Sequence, residues 1–414
     1  MAGTEQAPTS GKARRGRVPS GTSSDTTESL LVRARQLAPL IREHSDIAER
    51  DRRLPKPVLD ALGAAGFQSL FTPRAFGGLE VDPVTCARIV EEIASADSAA
   101  GWALQSANVN AWWASRLVDA AAEEIYGTNP GAMMAATFHP PQHATEVAGG
   151  YRVTGRAPFA SIIHDCEWVL ISAFIMEGGA PRMTEFGPAF IALIMPRSDV
   201  EILDTWYTLG MRGTDSNDIA VDNVFVPAHR TYVLSPEFKA GRHFQGALYR
   251  FPAAPIVGLF GAAVLLATAR TALTEFRELA VRKTPFGSMK TLRDRGTVQA
   301  SLAGAEGTLR SARAFFYETL SAAWVRTEAG EPATLEERGD LLLACIHAAK
   351  GAAEVTEIVH RLAGTTGIYV RSRLERCFRD AHTLRHHGFV SESKLETVGQ
   401  IYLGLPPDFP LIVF

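Results

Sequence analysis

A chain of 414 residues is longer than one ordinary hydrophobic core supports, so two or three domains are expected. A composition of 46% hydrophobic and 21% charged residues excludes wholesale disorder, collagen and a continuous coiled coil. Forty-two basic against 45 acidic residues leave a formal charge of −3, which offers no broad electrostatic grip on nucleic acid or an anionic membrane.

Residues 1–28 are rich in Ser, Thr, Gly and Pro, carry Lys12, Arg14, Arg15 and Arg17, and have almost nothing to bury, so a solvated flexible tail is expected. A helical unit follows over 29–128. Pro55 sits near the first turn of a helix carrying Val58, Leu59 and Leu62, a second helix covers Val84–Ala94, and a third surrounds Trp112 and Trp113. Over 129–235 the texture changes. Short β-branched or aromatic runs (Tyr151–Thr154, Trp168–Phe174, Phe190–Met195, Ile219–Val226) alternate with turn residues and predict a small antiparallel barrel or sandwich. Over 236–414 the helical period returns. Ala253–Ala269 is apolar enough to raise a membrane span but falls short of the roughly 20 residues needed, and reads as a helix buried inside a bundle. Val298, Leu302, Ala305, Leu309, Ala312 and Phe316 share one face, as do Leu341, Cys345, Ala348, Ala352, Val355, Val359 and Leu362, with Gly364 as the C-terminal cap. The four cysteines (Cys86, Cys166, Cys345, Cys377) show no CxxC spacing, which fits a reducing cytoplasm rather than a disulfide framework or zinc site. His139, His143 and His164 lack regular ligand spacing, so no metal is expected. The fold class is α+β, mainly α.

Four stretches carry a family likeness: LFTPRAFGGL over 70–79, LGMRGTDSNDIAVDNVFVP over 209–227, RKTPFG over 282–287 followed by Gln299, and AGTTGIY over 363–369 running into LERCFRDAH over 374–382. In this order, across this change of texture, the chain resembles the acyl-CoA dehydrogenase superfamily. That resemblance implies an N-terminal helical domain, a middle β-barrel domain, a C-terminal four-helix bundle and a homotetramer. Dehydrogenases of the family use a glutamate to take an α-proton. Here RDAHTLRHHG over 379–388 puts Gly388 where one such glutamate falls, and QGALYRFPAAP over 245–255 has no carboxylate at the other site. Gly101-Trp102 followed by VNAW over 109–112, and GRAPFAS over 155–161, are instead similar to the oxygenase components of two-component flavin monooxygenases. These take reduced flavin (FADH2 or FMNH2) from a separate NAD(P)H-dependent reductase. They react it with O2 to a C(4a)-hydroperoxyflavin, and hydroxylate or N-oxygenate a small molecule, here expected to be an aromatic, biosynthetic or catabolic one. The rival readings are an acyl-CoA dehydrogenase with an unplaced base and a non-catalytic family member. No GxGxxG opens a helix after a strand, which fits reduction by another protein.

The resemblance assigns Ser161 to the hydrogen bond near flavin N5 and His387, then His386, to the proton acceptor, an imidazole expected near its ordinary pKa. His382 is the alternative member of a structural corner. Arg282 matches an arginine that reaches a flavin phosphate, often in a neighbouring subunit, with Phe286 and Gln299 around it. Thr137, Arg212, Thr214, Gly364, Thr365 and Gly367 shape the flavin pocket, and Asn110, Trp112 and Trp113 line the substrate side. Taken without the resemblance, Ser161 ends a strand, Arg282 belongs to a solvated basic turn, Gly367 is a turn glycine, and the tryptophans are core.

Overall fold

A computed structural model describes residues 26–184, 187–233 and 240–413. The flexible tail expected at the N-terminus lies, up to residue 25, outside the described residues. Helix α1 (Thr27–Asp51) begins two residues before that expected tail ends, capped by the Thr26 side chain, which accepts from Ser29 N–H. Next come α2 (Lys56–Ala64), α3 (Pro83–Ala96), α4 (Ser98–Trp113) and α5 (Asp119–Tyr126). Asp82 and Asp97 cap α3 and α4 through their side chains. Every residue of α4 is buried, so this helix is enclosed on all sides.

Ten strands follow: β1 (Met134–Val147), β2 (Gly150–Ala160), β3 (Trp168–Glu177), β4 (Ala180–Pro181), β5 (Met183–Thr184), β6 (Gly187–Pro188), β7 (Phe190–Pro196), β8 (Glu201–Leu203), β9 (Asn217–Pro227) and β10 (Thr231–Val233). Eight of them form one sheet, in the path β10-β7-β3-β1-β2-β9-β8 with β4 on β3; β5 and β6 pair separately. The sheet curls enough to bring β7 near β9, but hydrogen bonding does not close it among the described residues. The antiparallel barrel or sandwich expected from sequence therefore needs one correction: β1 runs parallel to β3. Alternation of β-branched residues reports which face is buried and is silent on strand direction. Here β2 and the following turn supply the long crossover that a parallel pair needs. Strand β1 itself went unread because two prolines, Pro140 and Pro141, interrupt its pattern.

Helices α6 (Ala253–Arg282), α7 (Gly296–Glu328), α8 (Leu335–Ala363), α9 (Arg373–Leu384) and α10 (Leu395–Tyr402) build the C-terminal half. Helix α6 packs against α3, α4, α8 and α9. Its apolar stretch, long enough by composition to cross a membrane, is 83% buried inside the protein. The faces predicted for α7 and α8 are buried, with Leu302 and Leu362 partly so. The capping box of Thr334 and Glu337 starts α8, and Gly364 ends it at φ 55°.

Candidate active site

Strand β2 reaches the site through a bulge. The pairs Ala157–Ile219 and Ala160–Asn217 enclose one extra residue on β2. Phe159 inside the bulge and Ile162 just beyond it take φ of 67° and 58°, a conformation costly for side chains this large. Facing them, Met211 and Asp215 bracket the 212–214 turn at φ 56° and 52°. Of the seven non-glycine residues described with positive φ, these four border one spot. Such clustering is typical of places where a side chain is aimed rather than merely packed.

The aimed side chain is Ser161. Its buried Oγ accepts from the Trp102 indole Nε1–H at 2.9 Å and lies 2.8 Å from Ser216 Oγ. Ser216 Oγ lies 2.7 Å from Thr214 Oγ1, which donates to the Met211 carbonyl at 2.9 Å. Thr137 joins from β1, donating to the Pro158 carbonyl at 2.8 Å inside the bulge. The His387 ring also packs edge-on against Trp102, at a centroid distance of 4.9 Å. The fold thus brings Ser161 and His387 against Trp102, with Thr214 linked through Ser216 and Thr137 holding the bulge. This tryptophan was noticed in the Gly101-Trp102 motif but not counted among the site residues. Ser216 was missed as well, since a hydroxyl within a turn sequence carries no distinguishing signal.

His387 differs from its expected character. Its Nδ1 is fully enclosed without a hydrogen-bond partner, and burial pulls the imidazole from 6.5 down to about 4. It is neutral at pH 7 and a weaker base than an ordinary histidine. The turn holding it is pressed onto α6, where a Cβ on Gly258 would stand 2.8 Å from the Phe389 carbonyl oxygen. His386, next to it, is exposed. His382 faces elsewhere, packing on Phe378 (4.3 Å between centroids), which in turn stacks on His360.

The arginine–aspartate motif of α9 grips the site from behind. Asp380 accepts from Met211 N–H at 2.6 Å, while Arg379 donates to the Leu209 carbonyl at 2.7 Å. Gly210 is required between them, because a Cβ there would collide with the Arg379 backbone. Burial pushes Asp380 up to about 7 despite the bond from Met211. Arg212 points outward, donating to the Thr208 carbonyl.

Asn110 is buried and donates to the Met134 carbonyl at 2.7 Å. Trp112 donates to the Leu248 carbonyl, whereas the buried Trp113 Nε1 has no partner. Gln105, one turn after Trp102 on α4, keeps a buried Oε1 without a partner. Enclosed polar atoms of this kind, at His387, Gln105 and Trp113, are expected to be completed by a bound polar molecule.

A second group of expected residues gathers at the far end of α6. Arg282 lines a cavity of about 310 Å³ with Glu275, Thr366, Tyr369, Arg371 and Arg373, and no ion pair to Arg282 is found among the described residues. Lys283 Nζ donates to the Ala363 carbonyl and to Thr366 Oγ1, fastening the Gly364–Gly367 turn beside it. Thr365 is exposed there. Gly367 has an ordinary φ and is needed for closeness, since its carbonyl receives the His360 ring nitrogen at 3.1 Å. Phe286 projects completely into solvent, and Gln299 is exposed and donates to the Arg293 carbonyl. Of these residues Arg282 and Thr366 share the cavity lining, and Ser161 is not part of it.

The chain is similar to proteins of known families. Residues 30–125 match the family model for the acyl-CoA dehydrogenase N-terminal domain, and residues 259–392 that for the C-terminal domain. The chain is 33% identical over 370 residues to an indole-3-acetate monooxygenase of Pseudomonas putida, covering 89% of this chain and 92% of that one. It is 27% identical to the flavin-dependent monooxygenase oxygenase subunit HsaA of Mycobacterium tuberculosis (strain H37Rv), covering 93% and 98%. The crystal structure of 3-HSA hydroxylase from Rhodococcus sp. RHA1 superposes with a TM-score of 0.85 at 25% identity, covering 92% and 98%.

Proposed function

The chain belongs to the acyl-CoA dehydrogenase superfamily, in its branch of flavin-dependent monooxygenase oxygenase components, and from that premise we propose how its residues divide the work and on what molecule. Bound reduced flavin supplies the electrons that activate dioxygen. Ser161, aimed by the β2 bulge, hydrogen-bonds the flavin's central ring, with Thr137 and Thr214 beside it. Trp102 and the enclosed helix α4 keep water from that spot. His387, neutral and partnerless at Nδ1, accepts a hydrogen bond from the substrate and orients it. Asn110, Trp112 and Trp113 border the substrate side.

The observation that carries this reading is the meeting of Ser161, Trp102 and His387 at one point, with no carboxylate at either position a dehydrogenase of this family uses. The substrate is a small aromatic molecule, and indole-3-acetate, named for the Pseudomonas relative, is the first to try. A separate NAD(P)H-dependent reductase delivers the flavin. In a homotetramer the exposed Arg282 and Phe286 reach the phosphate end of a flavin held by a neighbouring subunit, with Gln299 and the Gly364–Gly367 turn around it. A cytoplasmic setting, shared with a diffusible reductase, is part of the same proposal.

The test supplies protein, a flavin reductase, NADH and 18O2. One labelled oxygen atom in an aromatic product is the expected result. Reduction of bound oxidised flavin by an acyl-CoA would establish the dehydrogenase instead, and absence of flavin binding a non-catalytic role.

A further inference from the structure

The hydrogen bonds at Ser161 form a chain whose direction is fixed by counting protons. It starts at an indole, which only donates, and ends at the Met211 carbonyl, which only accepts. Between them stand the hydroxyls of Ser161, Ser216 and Thr214, each with one proton. Four bonds require four protons, and the indole and three hydroxyls hold four. Every proton must therefore point the same way, from Trp102 through Ser161 and Ser216 to Thr214 and Met211. All three hydroxyl side chains are buried, at 9%, 4% and 1% exposure, so solvent does not supply a substitute partner.

Ser161 is left with a free lone pair and no free proton. Reduced flavin carries an N–H on its central ring where oxidised flavin presents a bare nitrogen lone pair. An oxygen that can only accept complements the first and opposes the second, and an opposed pair of acceptors is costly when buried.

We propose that Ser216 is a positioning residue: by taking the Ser161 proton it makes the site select reduced over oxidised flavin. This rests on the reading that Ser161 meets the flavin, and the experiment separates the two. Dissociation constants for oxidised and for dithionite-reduced FMN and FAD are measured without oxygen on the wild type, Ser216→Ala, Ser216→Thr and Ser161→Ala. The wild type prefers the reduced form. In Ser216→Ala the Ser161 proton is released to turn toward oxidised flavin, and the preference falls about tenfold, or about 1.4 kcal/mol, mainly through tighter binding of the oxidised form. Ser216→Thr keeps a hydroxyl and keeps the preference.

In flavin-free protein, the Trp102 indole N–H resonance stays in place in Ser216→Ala, because its acceptor remains, and moves in Ser161→Ala. This signal also reports that each variant is folded. A wild type without the preference, or an unchanged ratio in folded Ser216→Ala while Ser161→Ala alters it, overturns the inference and leaves Ser161 at the flavin. If Ser161→Ala changes neither affinity, the reading beneath it falls.

Discussion

Ser161 and His387 both contact one indole yet answer to different physics, and their variants should separate. Ser161→Ala removes the hydroxyl proposed to face the flavin and leaves the bulge intact. Peroxide released per product formed is expected to rise several-fold, as measured by the ratio of oxygen consumed to product. His387→Gln should slow product formation at least tenfold while changing flavin affinity less than threefold. The histidine also leaves a mark on stability. Its folded value of about 4 lies below the ordinary 6.5, so the native state favours the neutral ring. That contribution is complete above pH 6.5 and disappears as pH falls toward 4. Urea unfolding at pH 7.5 and 4.5 should show a wild-type loss larger by roughly 2 kcal/mol than that of His387→Gln. Of this pair, sequence pointed to both positions through motif likeness, but the lowered pKa was invisible, because enclosure by Trp102 and Phe389 arises from residues far apart in the chain or beyond a turn.

Helices were the most legible elements. The repeating faces of α7 and α8 are what a buried stripe demands, and α6 betrayed its burial by being apolar all round. Strands were less so. Neither the direction of β1 against β3 nor the bulge at Phe159 leaves a local signature, since both depend on which partner a strand finds. The role of the arginine–aspartate motif is likewise a matter of packing. Asp380 belongs to α9 but holds the turn before β9. Its carboxyl is raised from 3.8 to about 7, so the stability tied to its protonated form is present below pH 3.8 and lost as pH rises through 7. Asp380→Asn keeps an oxygen for Met211 N–H and cannot ionise. Its melting temperature relative to wild type should therefore improve between pH 5 and pH 8, and a constant difference would show that Asp380 does not titrate in this range.

At the scale of the molecule, the expected flavin contacts fall into two groups that a single chain does not unite. Thr137, Ser161 and Thr214 surround the β2 bulge, whereas Arg282 and the Gly364–Gly367 turn line the cavity at the end of α6. With Phe286 and Met289 wholly exposed on the connection after α6, that end is suited to a neighbouring copy. Arg282→Ala is expected to weaken flavin binding at least tenfold without changing the oligomer, checked by titration and native mass spectrometry. The motif likeness already suggested an arginine serving a neighbouring subunit, but the sequence alone did not show that Arg282 and the Gly364–Gly367 turn gather at one cavity.

The peptide at Met211 is held twice, by Thr214 at its carbonyl and by Asp380 at its N–H, and those anchors lie far apart in the chain, one before α6 and one within α9. During translation every hydroxyl of the chain through Ser216 leaves the ribosome well before residue 380 does. A growing polypeptide thus carries these hydroxyls before it has the clamp that sets the turn among them, and that turn is fixed only once α9 has emerged.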